Sequence, residues 1–188
     1  MNAITVQKRD LAAKAKQLRR AGLVPGSVFG GALKESIPIQ LDEQTARRLV
    51  SQKREGSRLQ LTLDGRVIPV QVKEKTLNML SNEIVHLGFQ ALRADQKVNS
   101  VIHLVLKNAD KVTGTLERQQ LEIPYASLPE DMIDTITVDL EGMPVGTVLT
   151  LGDIPELKNE KIELQADPES IALRIHDKKR VGGEAAAE

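Results

Sequence analysis

Residues 58–72 leave the chain little conformational choice. Arg58-Leu59-Gln60-Leu61-Thr62-Leu63 alternates polar with apolar, Asp64-Gly65 interrupts, and Arg66-Val67-Ile68-Pro69-Val70-Gln71-Val72 takes up the alternation again. A two-residue period is that of a strand with one face buried. Asp-Gly tolerates the positive φ angles that a tight hairpin loop needs. The segment predicts a β-hairpin, and other stretches follow the same rule. Ile4-Thr5-Val6, Ser36–Leu41, Ile84–Leu87, Val101–Leu106, Ile136–Leu140, Thr147–Leu151 and Ile171–Ile175 all read as strands, and Val28-Phe29 reads as the start of another. Thr115–Ile123 is expected to form one strand. Pro124 and Pro129 are expected to bracket a loop at Tyr125-Ala126-Ser127-Leu128. Pro38 confines its strand to an edge or a strand start, because it has no N–H for a ladder. Asp42 can cap a helix over Glu43–Lys53, in which Ala46, Leu49 and Val50 share a face and Arg47 and Arg48 point outward.

Composition supports a mainly β fold. Apolar residues make up 40% of the 188, yet there are only two Phe, one Tyr and no Trp. The core must therefore be Val, Ile and Leu, and the branched ones pack well on a pleated surface. The length suits one large or two small domains. No Cys is present, which excludes disulfides, thiolate zinc sites and cysteine nucleophiles, and suits a reducing cytoplasm. No apolar run approaches the ~18–20 residues of a membrane span, and the N-terminus lacks the apolar region of a secretory signal. Neither a membrane nor a small-molecule substrate is expected as a partner.

A formal net charge of zero conceals two opposed halves. Residues 1–92 carry 15 Lys+Arg against 8 Asp+Glu, and residues 93–188 carry 11 against 18. The balance moves from +7 to −7 near the polar stretch Leu92–Lys97, which reads as a linker. The expected organisation is a domain over 1–92, a β-domain over 96–177 and a mobile tail over 178–188, KKRVGGEAAAE. The first domain suits a polyanion. A plainer reading is that the halves attract each other, weakly, given screening over about 8 Å at physiological salt.

The positive excess concentrates in Lys8–Gly31. Lys8, Arg9, Lys14, Lys16, Arg19 and Arg20 lie there, and no carboxylate follows Asp10. Lys14, Leu18 and Arg19 fit within two helical turns, Gly22 is placed to end that helix, and the chain is expected to turn through Pro25-Gly26. Such a cluster suits phosphates. It also suits a solvated helix face. Catalytic motifs are absent: there is no phosphate-loop sequence, no His-Glu-x-x-His and no nucleophile elbow. Asp131, Asp134 and Asp139 lack metal-ligand spacing. Neither catalysis, a cofactor nor a bound metal is expected.

Leu18-Arg19-Arg20-Ala21-Gly22-Leu23-Val24-Pro25-Gly26-Ser27-Val28-Phe29-Gly30 resembles the L-R-x-x-G-x-(I/V)-P-(A/G)-x-(I/V)-(Y/F)-G signature of the bacterial large-subunit ribosomal protein family that includes the general stress protein Ctc. Ile84–Phe89 resembles that family's H-x-D-F box, Ser127–Leu140 its L-P-x-x-I-x-V-D block, and Val145–Ile154 the block that follows. The matches run in order along nearly the whole chain. The resemblance implies a small N-terminal β-barrel with accompanying helices, a second β-domain, and binding of 5S ribosomal RNA as a cytoplasmic constituent of the large subunit beside other ribosomal proteins. Together with the charge cluster, it makes Lys8, Arg9, Lys14, Lys16, Arg19, Arg20, Phe29, Lys75 and His86 the candidate RNA-binding residues. Phe29 as a stacking platform competes with Phe29 as core, and His86 as an RNA contact competes with a structural histidine. Three positions depart from the family pattern: Gln17 stands where an Arg is usual, Thr76-Leu77-Asn78-Met79 where a Q-R-x-P segment is usual, and Gly88 where the box has Asp. These departures motivate an alternative, a stress-associated interaction protein that keeps the scaffold with weakened or lost RNA binding.

Overall fold

The structure, a computed structural model, describes residues 3–31, 33–159 and 161–177. The fold is mainly β. Six strands close into a barrel: β1 (Ile4–Lys8), β2 (Leu23–Phe29), β3 (Ile37–Asp42), β4 (Arg58–Leu63), β5 (Arg66–Asn78) and β6 (Glu83–Ala91). Around the ring they run β1-β3-β2-β6-β5-β4. β1 closes the circuit by changing partners: Ile4–Val6 lie parallel to Leu61–Leu63, while Gln7 and Lys8 pair antiparallel with Gln40 and Ile39. The predicted hairpin is β4 and β5, in register from Arg58↔Gln71 to Leu63↔Arg66, with Asp64 and Gly65 both at positive φ.

The barrel interior is aliphatic. Val28, Ile39, Leu61, Val70, Val72 and Leu87 are fully buried around one aromatic ring, Phe89. Two helices attend the barrel. α1 (Ala15–Arg20) packs on β2, with Leu18 as its one buried residue. α2 (Glu43–Gln52) follows β3 and buries Ala46 and Leu49. Asp42 caps α2 as the sequence predicts, its carboxylate accepting from the Thr45 N–H at 3.1 Å.

The expected turn at Pro25-Gly26 is not there. Both residues lie inside β2, opposite Gln40 and Ile39. Pairing of β2 with β6 starts only at Gly26↔Leu87, so Pro25 sits before that ladder begins. Gly26 is required by close approach: a Cβ there would lie 2.7 Å from the Leu87 carbonyl oxygen. The chain bends at Gly22 and at Gly30-Gly31, all three at positive φ.

Beyond the barrel, β7 (Val98–Lys107), β8 (Thr115–Arg118), β9 (Glu122–Ser127), β10 (Thr135–Asp139), β11 (Val148–Thr150), β12 (Ile162–Leu164) and β13 (Ile171–His176) form two sheets, ordered β10-β7-β9-β12 and β11-β13-β8. Two expectations need correction here. Thr115–Ile123 is not one strand: it breaks at Gln119–Leu121 and supplies strands to different sheets. The segment around Tyr125 is not a loop. It is most of β9, a central strand, with Pro124 opposite Val101. Burial overrides the proline signal: Tyr125 is fully buried and its hydroxyl bridges the Ile133 backbone, donating to the carbonyl and accepting from the N–H. The tail expected to be mobile, 178–188, lies outside the described residues.

The barrel meets the second set of sheets through hydrogen bonds to backbone carbonyls. Ser100 Oγ donates to Gly56 O at 3.2 Å, His103 Nε2 to Glu55 O at 2.9 Å, Gln71 Nε2 to Asn99 O at 3.1 Å, and Arg58 to Pro129 O. No ion pair among the described residues joins the basic half to the acidic half.

Candidate nucleic-acid interface

The basic arm runs from the end of β1 into α1. Lys8 is exposed, and Arg9 turns its guanidinium back to donate to the Ala13 carbonyl at 3.0 Å. Lys14 occupies the N-cap, where its backbone N–H donates to Gln17 Oε1 at 3.4 Å. Gln17, standing where the family usually has Arg, thus serves the helix terminus. Lys16 and Arg20 lie one turn apart on the exposed face. Leu18 anchors the opposite face against the barrel.

Arg19 behaves differently from its neighbour. Its Nε donates to Glu83 Oε1 at 2.7 Å, and its side chain is 20% exposed. That pair ties α1 to the start of β6 and neutralises one cation of the arm. No ion pair among the described residues involves Lys8, Arg9, Lys14, Lys16 or Arg20.

Beside α1, β2 and β6 present an outer face. Phe29 belongs to it. Val28, its neighbour, points into the barrel, while Phe29 is half-buried outside the core cluster with its ring against Gly88. The reading of Phe29 as core is thus corrected; Phe89 fills the interior instead. A Cβ at Gly88 would meet the ring at an ordinary 3.7 Å from Phe29 Cε1 but would crowd the Glu74 Cβ at 3.2 Å. His86 is half-buried two residues earlier on the same strand, opposite Thr76. The face also carries a carboxylate: Glu74 lies opposite Gly88 and accepts from Thr76 Oγ1 at 2.8 Å.

Lys75 is not on this face. It pairs with inward-facing Leu87, and its ammonium reaches the carbonyls of Val50 and Lys53 at the C-terminus of α2. Burial lowers its pKa from 10.5, partly opposed by Glu55. Beyond Thr76 the hairpin ends in Leu77, Met79 and Leu80, which are 40%, 85% and 98% exposed. This end of the hairpin is thus an exposed apolar tip. α1 packs on β2 and is tied by Arg19 to the start of β6, the two paired strands that carry Phe29 and His86. Among the described residues, no cluster of His, Asp or Glu could hold a metal ion, and no helix is long and apolar enough to cross a membrane.

The model of the Ribosomal L25p family matches residues 4–89, the barrel, and that of the ribosomal protein TL5 C-terminal domain matches residues 97–179. A large ribosomal subunit protein bL25 from Akkermansia muciniphila is 30% identical over 176 residues, covering 92% of this chain and 86% of that protein. The chain belongs to the bL25 family. Other bL25 proteins agree: that of Nitrosomonas europaea is 30% identical over 80% of this chain and 78% of its own, and that of Listeria monocytogenes 26% identical over 92% and 84%. The bL25 family is one of structural ribosomal proteins, not enzymes. Its two models meet this chain on either side of residues 90–96.

Proposed function

We propose that this chain is a structural constituent of the large ribosomal subunit, cytoplasmic, and that its barrel grips 5S ribosomal RNA. The observation that carries this reading is α1. It is pinned to the barrel by Leu18 and by the Arg19–Glu83 pair, and it presents Lys14, Lys16 and Arg20 outward with no carboxylate partner among the described residues. A helix held rigidly in this way offers phosphates a prearranged row of cations, whereas a mobile arm would first lose entropy on binding. Phe29 and His86 beside it supply an aromatic plane and a ring donor for bases splayed from a non-helical loop. Relatives named as large-subunit proteins support the assignment to the subunit. The residues we assign to RNA are Lys8, Arg9, Lys14, Lys16, Arg20, Phe29 and His86, with Arg19 as the tie that orients the helix.

Filter binding to 5S ribosomal RNA across a salt series tests this. Lys16→Ala with Arg20→Ala is expected to lower affinity at least tenfold near physiological salt. It is also expected to reduce the slope of log K against log salt by about 0.7–0.9 for each phosphate no longer neutralised. An unchanged slope refutes the assignment. A second reading, a stress-associated interaction protein on the same scaffold with weakened RNA binding, draws on Glu74, the Arg19–Glu83 pair and the apolar tip. Co-sedimentation separates the two: comigration with large subunits in high salt supports the first, and free protein at every salt supports the second.

A further inference from the structure

A second cationic surface lies where α2 meets β1 and β4. α2, β1 and β4 enclose an open cleft of about 600 Å³ whose rim carries Arg48, Lys53 and Arg58. Thr5, Thr45 and Gln52 add neutral hydrogen-bonding groups, and no carboxylate is among the described residues that line it. Arg48 and Lys53 take part in no ion pair among the described residues, and Arg58 donates to the neutral Pro129 carbonyl, so none of the three charges is cancelled there. Lys75 adds to the effect from below. Its ammonium sits on the Val50 and Lys53 carbonyls, where the C-terminus of α2 would otherwise present partial negative charge beside the cleft.

The ring order gives this cleft its meaning. β4 and β1 are neighbours, as are β2 and β6, and the two pairs are separated by β3 on one side and β5 on the other. The strands that line the cleft are therefore opposite, in the ring, to those that carry Phe29 and His86, and α2 runs between, with Glu43 beside Arg19 at its start and Arg48 and Lys53 further along. We propose that it is a second phosphate-binding site, which takes the backbone of an RNA segment other than the one held by α1. The proposal rests on the reading of the chain as an RNA-bound ribosomal constituent, and makes the barrel a spacer between two RNA segments. An acidic peptide fits less well. β1 and β4 each have partners on both sides, so the closed barrel offers no free strand edge for a peptide to extend. Side-chain donors and positive charge remain, which is the equipment for a phosphodiester backbone.

The test compares the full chain with Arg48→Gln plus Lys53→Gln on three probes. On isolated 5S ribosomal RNA the double variant is expected to stay within about twofold of the parent. On large subunits lacking the chain its affinity is expected to fall about tenfold, with a salt slope smaller by more than one. Titrated with a hexamer of uridylate, isotope-labelled parent protein is expected to show amide shifts at Thr45 and Gln52 that the variant loses and that Arg48→Lys plus Lys53→Arg retains. Equal weakening on isolated 5S RNA would make the cleft part of a single site and overturn the proposal. So would undiminished binding to subunits, or a loss with an unchanged salt slope, which would point to a protein contact. If instead the α1 variants leave 5S binding intact, the reading of α1 fails, while the hexamer shifts at Thr45 and Gln52 still decide the cleft.

Discussion

Arg19 and Arg20 are adjacent and chemically identical, yet the fold gives them different work. Arg19 falls on the side of α1 that faces β6 and meets Glu83; Arg20 falls outside. A charge run read along the chain cannot make that distinction, because the partner is 64 residues away. Lys75 shows the same limit, since its cationic group serves helix carbonyls rather than the solvent. Gly56 is a residue of comparable consequence that the sequence does not single out. Its φ is +83°, and a Cβ there would lie 2.6 Å from Ser100 Oγ and 2.9 Å from the Val101 carbonyl oxygen. Gly56→Ala must therefore strain its own backbone and push β7 away from the barrel. We expect a loss of about 2 kcal/mol or more in urea unfolding, with exchange protection lost first at Ser100 and His103. A stability within 0.5 kcal/mol of the parent, roughly the scatter of neutral surface changes, would show that the junction is not packed this tightly.

Among elements, α2 is secured at both ends by side chains. Asp42 accepts from the Thr45 N–H at the start, and Lys75 holds the carbonyls at the finish. Asp42→Ala is expected to lower stability by about 1 kcal/mol, the usual cost of an N-cap, read as a shift in the thermal midpoint without loss of the barrel's circular dichroism. The cap was legible in the sequence because capping is local: Asp42 and Thr45 are three residues apart. The β4–β5 hairpin was legible for the same reason. Elements whose identity depends on distant partners were misread. Pro25-Gly26 is a turn-like pair and prolines flank Tyr125–Ser127, but Pro25 is paired with β3, and Gly26 and Tyr125–Ser127 each lie between two neighbouring strands, and that pairing outweighs local preference.

At the scale of the molecule, charge is segregated, and among the described residues each half keeps its ion pairs to itself. Among the described residues, four carboxylates titrate below their ordinary range, all in residues 95–153. The Arg93 guanidinium holds Asp95 down, hydrogen bonds from His176 hold Glu117 down, the Asn108 amide Asp139, and the Thr150 hydroxyl Asp153. The reference values are 3.8 for Asp and 4.5 for Glu. Because the folded pKa values lie below these, the unfolded chain takes up protons first as the pH falls. The stability these groups contribute is present above about pH 4.5 and is lost progressively below it, as the pH falls through the folded values. In an acid titration followed by amide resonances, the strands β7 to β13 are expected to lose dispersion at a higher pH than β1 to β6. Simultaneous loss in both halves would contradict this.

By itself the sequence determined whatever depends on neighbours a few residues apart: the two-residue period of the strands, the Asp64-Gly65 turn, the Asp42 cap, the density of cations before Gly22 and the opposed charge of the halves. Only the tertiary structure decided which cations stay available. Closing six strands into a ring sends Arg19 to Glu83 and Lys75 to the end of α2, turns Phe29 outward over Gly88, and sets Arg48 and Lys53 beside the paired ends of β1 and β4. The reason is geometric. Periodicity along a strand says which face a side chain takes, but barrel closure says what that face meets.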